Sequence, residues 1–287
     1  VDYYTDGGKA ERSELNKNDL FPSLNMKYQM NEKNSLRFAF SRTVTRPSFI
    51  EMAPFLYQES YGSAQIRGNA DLQNGYNYNI DLRYELFEKN GDMLSITAYY
   101  KHLKAPIERV QTLSGGSAVH SFRNADNGMA TGVEIEFRKE IVKDLRFGVN
   151  GSYMYTNVKL PKGGAYTNSQ RALQGASPYL ANADLTYSPA FSNDRQLSVA
   201  LLYNLQGPRI HSVGISGLGD IKQQPVHTLN FTGSYRFNRR FAVKLQVNDL
   251  LNQDILFKQE VPTTGDKVEV ERFRKGTGFE VGFSYDL

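Results

Sequence analysis

Tyr76–Leu86 reads YNYNIDLRYEL, with Tyr76, Tyr78, Ile80, Leu82, Tyr84 and Leu86 on the even positions and Asn77, Asn79, Asp81, Arg83 and Glu85 on the odd ones. Side chains alternate across a strand with a period of two, so this stretch carries an apolar ridge on one face and a polar ridge on the other. Eleven residues at ~3.3 Å each reach ~36 Å, and a tilt near ~45° projects that length onto the ~25 Å apolar band of a membrane-spanning barrel.

The pattern returns along the whole chain. Alternating segments are expected at Leu20–Met30, Leu36–Val44, Leu94–Tyr100, Val133–Phe137, Leu145–Tyr155, Ala181–Tyr187, Leu197–Leu205, Leu229–Phe237, Phe241–Val247 and Phe279–Tyr285. Pro22 lacks an N–H for the ladder and belongs near a strand end, and Arg42 interrupts the apolar face of its segment. Between these segments, short turns such as NEKN (Asn31–Asn34) and EKNGD (Glu88–Asp92) alternate with long stretches at 47–75, 104–129, 159–178, 206–226 and 251–277. Bacterial transmembrane barrels have short periplasmic turns and long extracellular loops. The long stretches are therefore expected outside and the C-terminus in the periplasm.

The fold class that follows is all-β: a transmembrane antiparallel up-and-down β-barrel with about 11–12 strands in this chain, part of a larger barrel. Even strand counts are the rule for such barrels, which calls for an ascending strand before Leu20, with Val1–Tyr4 as its tail. The chain opens on Val1 with no charged-then-apolar leader, consistent with a removed signal peptide or an internal start, and the strand pattern favours the internal start. The alternatives are a closed barrel of about twelve strands acting as a passive porin-like channel and a soluble β-sandwich used for adhesion. The strict alternation of short and long connections counts against the sandwich.

Composition sets further limits. With 22% charged residues and a mean hydropathy of −0.52, no run of apolar residues is long enough for a transmembrane helix. A barrel is not excluded, because lumen-facing polar residues dilute its hydropathy. The formal charge of +4 comes from interspersed residues of both signs, so nucleic acid is not an expected partner. There is no Cys, which removes disulfides and thiolate metal sites. Trp is absent too, so 18 Tyr and 17 Phe must build any interfacial belt.

Enzymatic chemistry finds little support. His120 and His211 each precede a serine, Ser121 and Ser212, but adjacency in sequence is not a triad, and both read as exposed loop residues. No His pair has ligand spacing and the loop carboxylates are scattered, so no catalytic residue, metal site or cofactor is expected. Nucleotide-binding glycine patterns are absent. The polar face of the strands mixes Lys27, Arg37, Lys101, Arg146, Arg236 and Lys244 with Asp81, Glu85, Glu134, Glu136, Asp184 and Glu280. A lumen holding a folded plug suits such a mixture, because charges pair across the contact.

Five stretches give the chain a family likeness. SLRFAFSRTVTRPSF (Ser35–Phe49), GNADLQ (Gly68–Gln73), NADNGMATGVEIEF (Asn124–Phe137), VNDLLNQ (Val247–Gln253) and the terminal GFEVGFSYDL resemble the C-terminal half of a TonB-dependent outer-membrane receptor. Leu287 stands where such barrels usually end on an aromatic residue. The resemblance covers essentially residues 1–287 and implies a barrel of about 22 strands around an N-terminal plug, the plug lying outside this chain. It implies location in the Gram-negative outer membrane and uptake of a scarce nutrient such as a metal chelate or oligosaccharide, with no enzymatic activity. The implied partners are outer-membrane lipid and lipopolysaccharide, the plug and TonB through the parent protein, a small-molecule or oligomeric nutrient ligand, and a surface lipoprotein. The longest loop resembles the surface over which family members capture substrate, which makes Arg46, Phe49, Glu51, Phe55, Tyr57, Tyr61 and Arg67 the candidate substrate-binding residues. KVEVERFRK (Lys267–Lys275) alternates enough to be a ribbon rising above the membrane, and its basic cluster Arg272, Arg274 and Lys275 offers a surface to anions.

Overall fold

A computed structural model describes residues 2–4, 10–12, 17–58, 65–88, 90–114, 117–161, 166–191 and 194–285. At its centre is one antiparallel sheet whose strands follow sequence order. They are β1 (Ser23–Gln29), β2 (Asn34–Thr45), β3 (Gly75–Phe87), β4 (Met93–Lys104), β5 (Asn127–Val142), β6 (Leu145–Lys159), β7 (Tyr179–Tyr187), β8 (Gln196–Gln206), β9 (Val226–Arg236), β10 (Phe241–Asn248) and β11 (Gly278–Tyr285). Each pairs with the strand before and after it, which is the up-and-down topology, and the short strand Gln170–Arg171 pairs with the end of β6 alone. Every expected segment is a strand of this wall. No helix among the described residues is long and apolar enough to cross a membrane.

Three boundaries differ from the sequence reading for identifiable reasons. Leu20–Met30 contracts to Ser23–Gln29 because Pro22 ends the ladder, with its carbonyl accepting from Arg42 N at 3.0 Å. Val133–Phe137 extends to Asn127–Val142, since NGMATG has no apolar alternation yet keeps register with both β4 and β6. Gly132 belongs there sterically: a Cβ at this position would lie 2.4 Å from the Tyr153 carbonyl oxygen and 2.6 Å from the Tyr99 hydroxyl. Asp2–Tyr4, expected as the tail of a wall strand, instead pairs with Ala10–Arg12 in a separate two-stranded sheet.

Burial on the two faces is the reverse of that in a water-soluble sheet. Ile80, Leu82, Ile96, Tyr100, Val133, Ile135, Tyr153 and Tyr155 are exposed, whereas Ser35, Glu85, Ser95 and Thr97 on the opposite face are buried. A β-sandwich would turn the first set inward against a second sheet. Here that set faces outward along the whole wall, which is the arrangement a hydrocarbon solvent demands. Arg42 lies on this outward face without leaving a bare charge. Its guanidinium sits 4.6 Å from the Tyr76 ring centroid, donates to the Leu20 carbonyl at 2.7 Å and lies 3.5 Å from the Asp19 carboxylate.

The inner face is held by two polar networks. Register sets Arg37 directly beside Arg83 on β2 and β3, a repulsive pair that Glu85 neutralises. Arg37 Nε donates to Glu85 Oε2 at 2.7 Å, Arg83 Nε lies 2.9 Å from Oε1, and Ser35 Oγ donates to Oε2 at 3.0 Å. Arg138 extends the network through Glu136 at 2.6 Å. Further along, Asn150, Asn182 and Asn204 stand opposite one another on β6, β7 and β8, and form a ladder in which Asn182 donates to Asn150 Oδ1 and Asn204 to Asn182 Oδ1. The edge strands β1 and β11 have no wall neighbour on their outer sides among the described residues. In Glu85→Ala two facing guanidinium groups lose their shared counter-ion, so unfolding of the full-length protein is expected to cost ~2 kcal/mol less. An unchanged urea or thermal midpoint would contradict this role.

Candidate functional site in the long-loop layer

The long connections leave the same end of the wall and fold into a layer of their own. One four-stranded sheet has the order Leu56–Tyr57, Ile66–Arg67, Ser117–Asn124, Ile107–Ser114; a second has the order Arg209–Ser212, Ile221–Gln223, Ile255–Val261, Asp266–Phe273. Between them lies a buried apolar cluster of Val110, Ala125, Val158, Leu160, Tyr166, Ile210 and Val213, drawn from three loops and their adjoining strand ends. No single loop could bury these residues alone, so the loops order one another.

Hydrogen bonds carry the contact through the remaining loops. His120 N donates to Gln65 O at 2.8 Å, Gln111 Nε2 to Ser212 Oγ at 2.5 Å, Thr167 N to Gly214 O at 2.8 Å and Gln259 Nε2 to Gly219 O at 3.0 Å. Arg171 and Glu108 form a buried ion pair at 3.0 Å. Burial pushes the Glu108 carboxyl above the ordinary range, and the Arg171 guanidinium offsets only part of that rise.

The family-like motifs have local jobs in this layer. In GNADLQ, a Cβ on Gly68 would lie 2.2 Å from Ala53 O. Asn69 accepts from Asp71 N at 3.0 Å and donates to Phe122 O at 2.9 Å. In VNDLLNQ, Asp249 and Asn252 take left-handed backbone angles, φ 55° and 43°, which these two residue types tolerate best after glycine. Asp249 N donates to Asn230 Oδ1 at 2.9 Å, which turns the chain back over β9.

The candidate substrate residues divide into groups. Ser48 caps a short helix, α1 (Phe49–Met52), and the Glu51 carboxylate accepts from Ser48 N at 2.7 Å and Ser48 Oγ at 2.9 Å. Glu51 is therefore a capping residue, occupied within its own turn. Phe49 and Phe55 are exposed, and Phe55 meets Tyr57 edge to face at 6.1 Å. Arg46 and Arg67 are exposed, and Tyr61 lies outside the described residues. His120, expected on the surface, is buried, with Arg109 Nε donating to its Nδ1 at 2.8 Å and Gln111 on its other ring nitrogen at 3.0 Å.

Two cavities open in the layer, and none of the described candidate substrate residues lines either. The first, about 540 Å³, is bordered by Arg171, Arg209, Lys222, Asp220, Tyr153 and Tyr155. The second, about 550 Å³, is bordered by Asn69, Asp71, Gln111, Ser121, Arg123 and Tyr166. Sequence reasoning missed these residues because they come from different loops, and no local pattern marks them. The basic cluster Arg272, Arg274 and Lys275 is largely neutralised: the expected ribbon forms, Arg272 lies 2.6 Å from Glu269 and 3.1 Å from Asp254, and Arg274 also donates to Asp254.

A sheet apolar outside and polar inside, with every long connection gathered at one end, defines the wall of a transmembrane β-barrel. The chain belongs to the outer membrane protein beta-barrel family, whose model matches residues 2–285. Over 253 residues it is 22% identical to the ferric enterobactin receptor of Pseudomonas aeruginosa, covering 81% of this chain and 33% of that protein. Its fold matches a crystal structure of the Pseudomonas aeruginosa ferric enterobactin receptor with enterobactin bound, at TM-score 0.65 and 19% identity over 92% of this chain and 40% of that one. It also matches the siderophore receptor PirA of Acinetobacter baumannii, at TM-score 0.62 and 16% identity over 92% and 40% of the two chains. For the copper transporter OprC the values are 0.63 and 14% over 92% and 38%. The chain thus spans well under half the length of these relatives, and at such identities the likeness is one of fold.

Two outcomes follow from the layer's chemistry. Arg171→Met strands a buried carboxylate and should destabilise the layer by ~3–5 kcal/mol, while Glu108→Leu with Arg171→Met should recover most of the loss. Hydrogen exchange of residues 107–124 reads both, and a double variant as loose as the single one would refute the pairing. The Asp254 and Glu269 carboxyls are held below the ordinary range, chiefly by hydrogen bonds from Arg274 and Arg272 respectively. A depressed folded pKa stabilises above the unfolded value and is lost as pH falls through the folded one. The 255–273 hairpin should therefore stay ordered at neutral pH and loosen only below about pH 4, and loosening that begins above pH 6 would contradict these pairings.

Proposed function

We propose that this chain is the C-terminal part of the barrel of a TonB-dependent outer-membrane receptor. Its long loops capture a scarce nutrient outside the cell, its C-terminus lies in the periplasm, and a plug elsewhere in the parent protein gates the lumen. The observation that carries this reading is the joined loop layer with its cavities, set over a wall whose edge strands have no outer neighbour among the described residues. A passive pore needs a clear path, whereas five loops locked together by a shared core, an ion pair and cross-loop hydrogen bonds suit capture. The inner-face charges of both signs suit contact with a folded plug.

The relatives are by name receptors for ferric enterobactin or siderophores and a copper transporter. That favours a metal-containing nutrient, and the first cavity, bordered by Arg209 and Lys222 with Asp220 while Arg171 is already paired with Glu108, suits an anionic chelate. Deletion of the gene should abolish uptake of one such nutrient under scarcity, and an uncoupler of the inner-membrane proton gradient should do the same in the parent strain. Uptake that is indifferent to the uncoupler would replace this reading with a passive channel. Sidedness has its own test in this cysteine-free chain. A single cysteine at Val268 should react with an impermeant maleimide on intact cells and one at Lys143 should not, and the reverse pattern would invert the topology.

A further inference from the structure

At the loop end of four neighbouring strands, register sets Tyr76, Lys104, Asn127 and Lys159 side by side, one from each of β3, β4, β5 and β6. Alternation puts all four on the outward face, in phase with Ile80, Ile96, Val133 and Tyr153. Lys104, Asn127 and Lys159 are exposed. Two strand spacings of ~4.8 Å separate the lysine stems by ~10 Å, with the Asn127 amide between them.

The rows beneath change character in step. Tyr78, His102, Met129 and Asn157 come next, with the Tyr78 and His102 rings 6.2 Å apart. Below them lie Ile80, Tyr100, Thr131 and Tyr155, then Leu82, Ala98, Val133 and Tyr153. The face thus grades from cationic through amphipathic to apolar within a few residues. Neither lysine has an ion pair among the described residues. Asp126, next to Asn127 in sequence, has none either and touches the row through its backbone, where its N–H donates to Lys159 O at 2.8 Å, while Asp19 accepts from the Tyr76 hydroxyl at 2.8 Å at the other end of the row. Arg42, on the same face of β2, contrasts with them because Asp19 and two tyrosine rings occupy it.

We infer that Lys104, Asn127 and Lys159 dock the phosphorylated headgroup of an outer-leaflet lipid, whose acyl chains run down the apolar band of the same strands. Unpaired ammonium groups at the top of a lipid-facing wall lift along their stems to the interface and meet the anionic charge there. The amide between them supplies a neutral donor for a second phosphate oxygen. Continuity with the apolar band selects a lipid over a free anion. The inference rests on the outward placement of the long loops proposed above.

The test uses the full-length protein extracted from outer membranes, with the phosphorylated glycolipid it retains counted by native mass spectrometry and its affinity for labelled lipopolysaccharide measured by titration. Lys104→Gln with Lys159→Gln should weaken binding about 30-fold, the effect of two lysines at about 1 kcal/mol each. Lys139→Gln, on the same face at the far end of β5, should change it less than about twofold. Enzymatic removal of the lipid phosphates should match the double substitution, and millimolar inorganic phosphate should not displace the lipid. Full retention by the double variant, an equal loss in Lys139→Gln, indifference to dephosphorylation or displacement by free phosphate would each overturn the inference. Maleimide labelling of the loop hairpin reports sidedness separately, so an inverted topology is distinguishable from a failed lipid site.

Discussion

The structure depends on the backbone's need for partners in a solvent that offers none. In hydrocarbon an unpaired N–H or C=O costs several kcal/mol, so a wall of strands is stable only when each strand is bonded on both sides. The interior strands β2 to β10 meet that condition, each in register with two neighbours. Among the described residues the edges β1 and β11 meet it on one side only. Both edges carry exposed apolar residues of the lipid-facing kind, Met26 on one and Phe283 on the other, so each edge calls for a further strand partner within the membrane.

The same constraint sorts the side chains. The outward face needs no specific partner, because lipid wets any apolar side chain; hence its simple alternation and its tolerance of Tyr in place of Trp. The inner face needs specific partners, and it solves the problem differently along the wall. Around β2 to β5, Glu85 and Glu136 bridge three arginines. Around β6 to β8 an amide ladder does the work without net charge.

The wall was legible in the sequence because period-two alternation is a local property, and Tyr76–Leu86 alone nearly determines a strand. The boundary errors fell where local pattern and tertiary constraint part company: at Pro22, which stops a ladder, and at Gly132, which keeps one going without an apolar signal. The loop layer was mostly illegible. Glu51 read as a candidate substrate residue because its loop resembles the family's capture surface; the capping box that its carboxylate closes with Ser48 went unread. His120 read as exposed, yet strand pairing buries it beside Arg109. The cavity residues Arg171 and Arg209 lie far apart in sequence and meet only because Val158, Ile210 and their neighbours share one apolar cluster. Such meetings are properties of the assembled loops, and no window along the chain contains them.

The open edges make the central claim measurable in one step, by the intact mass and N-terminal sequence of the mature polypeptide extracted from outer membranes. A wall that closes with further strands around a plug requires a mass more than twice the 32.5 kDa of this chain, with the additional sequence ahead of Val1. A mature protein near 32.5 kDa would contradict it, since β1 and β11 would then have to pair with each other and the barrel would be a small closed one.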